Sequence, residues 1–534
     1  MPKYYGTVYS DEKHPITPHE VYLQQTFKER EFMIGDFVII EEEDTEFFAN
    51  IAEIEEAPLY VRNPDAMVFL AKQLSSRNVE LSKLADLPQA KKETKIILKT
   101  RIKKVRKKSQ VLGPGLRPSP VAVFREPSSE EIEDLLNVPT DGFPFFLTRS
   151  NGELYKDCSG KTVNIRLEPK APLTGMLVVG SPNAGKTMFN GALAWWYSHY
   201  GWASILINNK ADDLLYLDES ADYEDPKWKE LGWEPCGVPS FQIIYPSNNG
   251  CSRVSGPLIP FTFETNKLQP EALTALIDFS ERGVIHLPTL FRHWQSTRGG
   301  TIFDFISYLE SGRRTGSYYT FQVNIHGRLT EVRVHAATID SAVSVLQSYS
   351  PYFDGHGRMP SAQDIIKSGL VTVFDLSRAD PIICKLIIQH YLHEIRAYQR
   401  EILTQQKEPL PVLFEVDEAH QFFKRYTNDE LSRTIETEIE THIKLSRSLK
   451  IATVLSSQLG SELHPAANRL STVKLLLRSD RSELKALNIQ LTNEELSAIE
   501  SFSPGMAQLR DNFRIRIPVF VRVPMCPAKV KGQT

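Results

Sequence analysis

The chain has 534 residues, 24% of them charged and 41% hydrophobic, with a formal net charge of -4. That balance excludes a low-complexity or fibrous chain and a globally basic nucleic-acid coat, so any DNA contact must come from a local basic surface. Five cysteines (Cys158, Cys236, Cys251, Cys384, Cys526) form no C-x-x-C pair, no apolar run of about 18 residues occurs, and Met1–Tyr5 has no signal-peptide core; the expectation is a cytoplasmic protein of roughly two to four domains without membrane spans, disulfide frame or zinc site.

Residues 1–115 read as a small β domain. Short β-rich runs recur at Tyr4–Tyr9, Phe37–Ile40, Asn50–Ile54 and Lys95–Val105, and several short strands in so little chain suggest a barrel, which removes exposed edges by closure. Residues 62–88 read as one or two helices. The segment Lys91–Lys108 carries many cations around Ile96, Leu98, Ile102 and Val105. It fits either a DNA-facing surface or a solvated strand face. Gly113 to Pro120 is the best linker.

From 116 onward strands and helices alternate. Strands are expected at Leu177–Val179, Ser204–Ile207, Val371–Leu376, Leu413–Val416, Ile451–Ser456 and Val473–Leu477. Helices are expected at Thr187–Tyr200, Pro381–Gln405 and Asp429–Leu449. Apolar strands alternating with helices predict a parallel sheet covered on both faces, an α/β fold.

Gly180-Ser181-Pro182-Asn183-Ala184-Gly185-Lys186-Thr187 spells G-x-x-x-x-G-K-T after the apolar run Met176–Val179 and before a helix that opens with Met188. This is the phosphate-binding P-loop in the context it needs. Backbone N–H groups and the positive helix end surround phosphates, Lys186 neutralises the β/γ oxygens, and the Thr187 hydroxyl holds Mg²⁺. The pattern points to hydrolysis of a nucleoside triphosphate.

Val412–Val416 is an apolar strand ending in Asp417-Glu418-Ala419-His420. Asp417 takes the role of direct or outer Mg²⁺ ligand, and Glu418 that of general base for the attacking water. His420 either couples the site to its neighbours or packs the following helix. Lys186 and Asp417 lie 417 − 186 = 231 residues apart, more than a nucleotide-binding sheet requires, so residues 250–355 are read as a mostly helical insertion containing one hairpin near 318–334. The core is thus split into 116–249 and 356–534. Arg447, near the end of the helix before Ile451, fits an arginine finger or a surface cation favoured by the helix dipole, and on spacing alone the second is the stronger reading. Gln458, at the end of the next strand, is placed to sense a γ-phosphate. Asp354, Asp364 and Asp380 lack metal-site spacing and read as structural.

Together these motifs resemble the HerA branch of the HerA/FtsK hexameric translocases over nearly the whole chain. Gly6-Thr7-Val8 and Ile34-Gly35-Asp36-Phe37-Val38 resemble the family's HAS-barrel. The P-loop and Asp417-Glu418-Ala419-His420 match its Walker motifs, and Ser368–Ser377 resembles the strand before its long helix. Arg447 and Gln458 resemble its finger and glutamine segment. Leu491–Leu496 and Ser503–Ala507 match its closing helix and P-G-x-A turn. Two departures stand out. Where the family often has D-P-x-G-E, this chain reads Asn208–Asp213, and where it often has G-R-K, Ser446-Arg447-Ser448.

The resemblance implies a RecA-like ATPase core behind the barrel, with ATP and Mg²⁺ bound between subunits of a homohexamer. It implies double-stranded DNA in a central pore gripped through phosphates, and a partner docked on the barrel, either a NurA-like nuclease in DNA end processing or a sirtuin-like or other effector in phage defence. A different class of function is an ATP-regulated scaffold that activates a partner enzyme without moving DNA. A third, a secretion or conjugation pump, is disfavoured by the lack of a membrane anchor.

Overall fold

A computed structural model describes residues 4–26, 31–58, 94–107, 110–112, 115–150, 153–157, 160–210, 213–270, 276, 281–325, 328–425, 430–515 and 517–531. The helices read at 62–88 lie outside the described residues. The chain forms two compact units: Met1–Leu167 with Thr492–Ala498 and Met506–Arg522, and Glu168–Leu491 with Ile499–Gly505 and Val523–Thr534.

The first unit contains the expected barrel. Its strands are β1 (Tyr4–Tyr9), β2 (Glu20–Gln25), β3 (Phe37–Glu42), β4 (Thr45–Pro58), β5 (Thr94–Lys107), β6 (Gln110–Leu112) and β7 (Val123–Arg125). They run in the order β2-β1-β7-β3-β4-β5-β6, and a further β2–β5 pairing closes six of them into a ring. Alternation drives closure: Val21, Leu23, Val38, Ile40, Phe47, Ala49, Ile51, Leu98, Ile102, Val105 and Phe124 fill the interior, and closure leaves the six-strand ring without a free edge. The long pair β4–β5 curves round the ring through register shifts at Phe48/Ala49 and Ile51/Glu53, as bulges permit. Gly6 is forced by packing, because a Cβ there would lie 2.0 Å from the Gln24 carbonyl oxygen and 2.8 Å from the Phe124 ring.

Three described cations of β5 are paired with acids. Lys99 pairs with Glu53, Arg101 with Glu20 and Glu494, and Arg106 with Glu46 and Asp134, while Leu98, Ile102 and Val105 point inward. Arg125 joins Glu41 and Glu131, so it ties β7 to helix α1 (Ser129–Leu136), itself started by a Ser128–Glu131 capping box. Further antiparallel strands of this unit follow the order β10 (Asn164–Leu167), β8 (Phe143–Ser150), β23 (Val519–Arg522), β22 (Met506–Asp511), with β9 (Glu153–Leu154) on β8. Segment 506–522, read from the sequence as part of the C-terminal half of the core, thus belongs to this unit.

The second unit is built on parallel strands β11 (Met176–Val179), β12 (Ala203–Asn208), β13 (Ser240–Pro246), β14 (Leu258–Phe261), β18 (Leu370–Asp375), β19 (Val412–Val416), β20 (Ile451–Ser457) and β21 (Val473–Leu477). Their order is β21-β11-β20-β19-β12-β18-β13-β14. Every residue of β11, β12, β18, β19, β20 and β21 is buried, which is why these strands read as unbroken apolar runs. Helix α2 (Lys186–His199) packs on β12, β18 and β19. Two later helices, Pro381–Thr404 and Glu430–Leu449, pack on each other, and the second also on β20. The excursion between β14 and β18 holds helices Glu281–Thr297, Ile302–Glu310 and Ala336–Tyr349. It also holds an antiparallel sheet of β15 (Arg313–Thr315), β16 (Tyr318–Ile325) and β17 (Arg328–His335), around a core in which the Phe291 and Phe305 rings meet edge to face at 4.8 Å.

Candidate nucleotide-binding site

The glycine loop is shaped by its neighbours. Strand β11 delivers it to the carboxyl edge of the sheet, where Gly180 N–H donates to the Ser457 carbonyl at 3.2 Å and Ser181 N–H to the Arg478 carbonyl at 2.7 Å. Asn183 (φ 59°) and Gly185 (φ 106°) turn the chain through left-handed conformations. At Gly185 a side chain would also meet the Gly505 backbone at 3.1 Å, so both the torsion and the space call for glycine. Gly505 N–H in turn donates to the Ala184 carbonyl at 2.9 Å, which gives the P-G-x-A turn a place beside the loop. Pro182 and Asn183 are exposed, Ser181 is half-buried, and Ala184 to Met188 are buried.

Lys186 opens α2 and is 4% exposed. Its ammonium donates to the Gly180 carbonyl and, at 3.2 Å, to that of Ser181. Burial, joined by the charge of Lys210, lowers its pKa to about 8 despite Glu418 and Asp417. The Thr187 hydroxyl donates to Asp213 at 3.5 Å.

Asp417 and Glu418 leave the end of β19, 1% and 3% exposed. Strand β20 lies between β11 and β19, so its end presents Ser457 and Gln458 between the glycine loop and the carboxylates. The Gln458 amide donates to Glu418 Oε1. His420 Nδ1 lies 3.2 Å from the Ser457 hydroxyl and 3.4 Å from Glu418 Oε2, so His420 bridges two strand ends. Burial lowers the His420 pKa, keeping the ring neutral. Asp417 is pushed above the usual carboxylate range by burial, with Glu418 adding to the effect.

The residues fit a hard divalent cation. Asp417 Oδ1 is buried without a hydrogen-bond partner, and such an oxygen together with the Thr187 hydroxyl is the donor chemistry Mg²⁺ takes. Among the described residues, here or elsewhere, no group of three or more His, Cys, Asp or Glu side chains could hold a metal by itself. The scattered acids have structural partners: Asp354 accepts from Thr265 and from Ile302 N–H, Asp364 caps at Ser361, and Asp380 accepts from Ile382 N–H.

Arg447 does not join this cluster. It is exposed in the last turn of its helix. Its neighbour Ser446 donates to the Leu173 carbonyl, just before β11 begins, and Lys450 accepts through its carbonyl from Val412 N–H at the start of β19. Arg447 therefore sits at the amino edge of the sheet, opposite the glycine loop.

Sequence reading missed Lys210. Its ammonium lies 2.5 Å from Glu418 Oε1 and 3.5 Å from Asp417 Oδ2. Burial works against its charge, but Asp417 and Glu418 outweigh it and raise its pKa. The signal available was the departure at Asn208–Asp213, where a lysine follows the strand next to β19. Also missed was Glu415, buried on β19 with neither oxygen hydrogen-bonded and shifted well upward, first by burial and then by Asp417.

No protein-family model and no curated protein matches the chain. Among solved structures, VirB4 of Thermoanaerobacter pseudethanolicus aligns at 13% identity over 72% of this chain and 97% of its own, with a TM-score of 0.45. The bacterial conjugative coupling protein TrwBdeltaN70, in complex with sulphate, aligns at 10% identity over 76% and 93%, with a TM-score of 0.45. The genome packaging NTPase B204 from Sulfolobus turreted icosahedral virus 2, in complex with AMPPCP, aligns at 10% identity over 66% and 97%, with a TM-score of 0.28. At these scores the likenesses carry no functional argument. Among the described residues no helix is long and apolar enough to cross a membrane.

Proposed function

We propose that this protein is a HerA-like, ATP-hydrolysing hexameric translocase of double-stranded DNA that works with a partner nuclease or other effector. The observation that supports it is the convergence of Lys186, Asp417, Glu418 and Gln458 at one carboxyl edge of the parallel sheet. Four residues from three distant stretches of sequence meet where loop N–H groups and a helix N-terminus favour phosphate.

In this reading the N–H groups of Gly180–Thr187 and the Lys186 ammonium hold the β- and γ-phosphates, and Met188 continues the helix behind them. Thr187 and Asp417 would hold Mg²⁺, which when bound would neutralise charge on the phosphates. Glu418 accepts a proton from the attacking water, and Gln458 reports the state of the γ-phosphate to β20. Arg447 faces away from its own glycine loop, so as a finger it would serve the site of a neighbouring subunit. The barrel is the proposed docking face for a NurA-like nuclease or a sirtuin-like effector.

The test is ATP turnover of wild type and Glu418→Gln, with and without linear duplex DNA, alongside mass by light scattering. DNA-stimulated turnover in a hexamer, lost in Glu418→Gln, is the expected result. An assembled ring with negligible turnover on any DNA would replace the motor with the scaffold reading.

A further inference from the structure

Glu418 is held in a way that opposes its use as a base. Its Oε1 is in contact with the Lys210 ammonium at 2.5 Å and also accepts from the Gln458 amide. Its Oε2 is buried without a hydrogen-bond partner, with the neutral His420 ring 3.4 Å away. Two donors on Oε1 occupy both lone pairs of that oxygen, which leaves none directed at a water. Glu418 is also in a left-handed backbone conformation, φ 49° and ψ 46°, which a non-glycine residue keeps only when its surroundings enforce it.

The two sides of this contact differ in freedom. The Asp417 and Glu418 side chains are 2% and 4% exposed, whereas that of Lys210 is 30% exposed. The lysine also has a long flexible stem, while its backbone is fixed. The Asn208 amide donates to the Lys210 carbonyl at 2.7 Å, and Asn209 donates to Gln421 in the turn after Glu418. The ammonium can leave while the carboxylates stay. Lys186 is bonded instead to the carbonyls of its own loop.

Building on the ATP-hydrolase reading above, we propose that Lys210 is a brake on Glu418, released by the terminal phosphate of a bound nucleoside triphosphate. The γ-phosphate oxyanions compete with Glu418 for the ammonium. When Lys210 moves to them, Oε1 is freed toward the attacking water. The exchange is charge-balanced, one anionic partner for another, and moves no proton. A diphosphate has no oxygen at that position, so loss of the γ-phosphate returns Lys210 to Glu418. Lys210 thus has two alternative partners, Glu418 without the γ-phosphate and the γ-phosphate when it is bound, and its effect on turnover comes from freeing Glu418.

The test uses the full chain with Lys210→Met, Lys210→Gln as a second neutral variant should the first fail to fold, and Lys210→Met combined with Glu418→Gln. Two quantities are read: ATP turnover without DNA, and the ratio of dissociation constants for fluorescent ADP and a non-hydrolysable ATP analogue with Mg²⁺. Turnover should rise about fivefold or more in the neutral variants, and preference for the triphosphate should fall by a similar factor. The double variant should not turn over, which assigns the gain to Glu418. Turnover equal to or below wild type in the neutral variants overturns the brake, including the case in which neither wild type nor variant turns over. Wild type that binds no triphosphate would remove the ATP-hydrolase reading itself, whereas binding without a gain in the variants removes the brake alone.

Discussion

The side-chain amide of Gln458 donates to Oε1 of Glu418, joining the end of β20 to the end of β19. The contact places a neutral donor from the strand beside the glycine loop on the carboxylate assigned as base. A change in what Gln458 touches is thereby felt at Glu418.

Glu418→Gln should bind ATP with near wild-type affinity and lose about a hundredfold or more in kcat. Gln458→Ala should lower kcat by about tenfold and leave ATP affinity nearly unchanged, because Gln458 contacts the base rather than the phosphate loop. Steady-state kinetics with parallel nucleotide-binding titrations separate the two effects. A Gln458→Ala variant with wild-type kcat would remove the sensor role.

Arg447 is remote from Lys186 within one chain, so a finger role requires a second subunit. Arg447→Ala and Lys186→Ala should each abolish turnover alone. Mixed under conditions that exchange subunits, they should recover part of it, since some interfaces then combine an intact Lys186 with an intact Arg447. Wild-type turnover in Arg447→Ala alone would restore the helix-end cation reading.

His390 and His442 lie on the helix pair Pro381–Thr404 and Glu430–Leu449, and burial lowers both to about 4. Unfolded histidine titrates near 6.5, so between about pH 6.5 and 4 the unfolded chain binds more protons than the folded one. Stability is therefore full above pH 6.5 and is lost as pH falls toward 4, by about 3 kcal/mol per histidine at most. Urea midpoints at pH 7.5, 6 and 5 should fall in that order. A double His390→Gln, His442→Gln variant should show a flatter dependence.

Gly6→Ala should destabilise the barrel by about 2–4 kcal/mol, because the new methyl has no room between the Gln24 carbonyl and the Phe124 ring. Gly115→Ala is the control: its added methyl meets nothing within 4 Å, and the expected change is within about 0.5 kcal/mol. Thermal melts of the two variants against wild type decide this.

The sequence by itself determined the elements whose signal is local. Strands of the parallel sheet are apolar on both faces, so they stand out as unbroken runs, and the expected Val473–Leu477 matches the observed span. The glycine loop was legible because its torsions and phosphate chemistry dictate residue types at fixed spacing. Asp417 and Glu418 were legible because a strand immediately precedes them. Strand β2, with alternating half-buried residues, and the short edge strand β14 carry weaker local signals and were missed. Only the tertiary structure decided which strands are neighbours. It placed β20 between β11 and β19, which sets Gln458 on Glu418. It put Arg447 at the opposite edge, and it brought Lys210 onto the carboxylates. Each of these joins residues far apart in the chain, and such contacts are selected by packing and charge in three dimensions, not by the spacing of residues along a strand or helix.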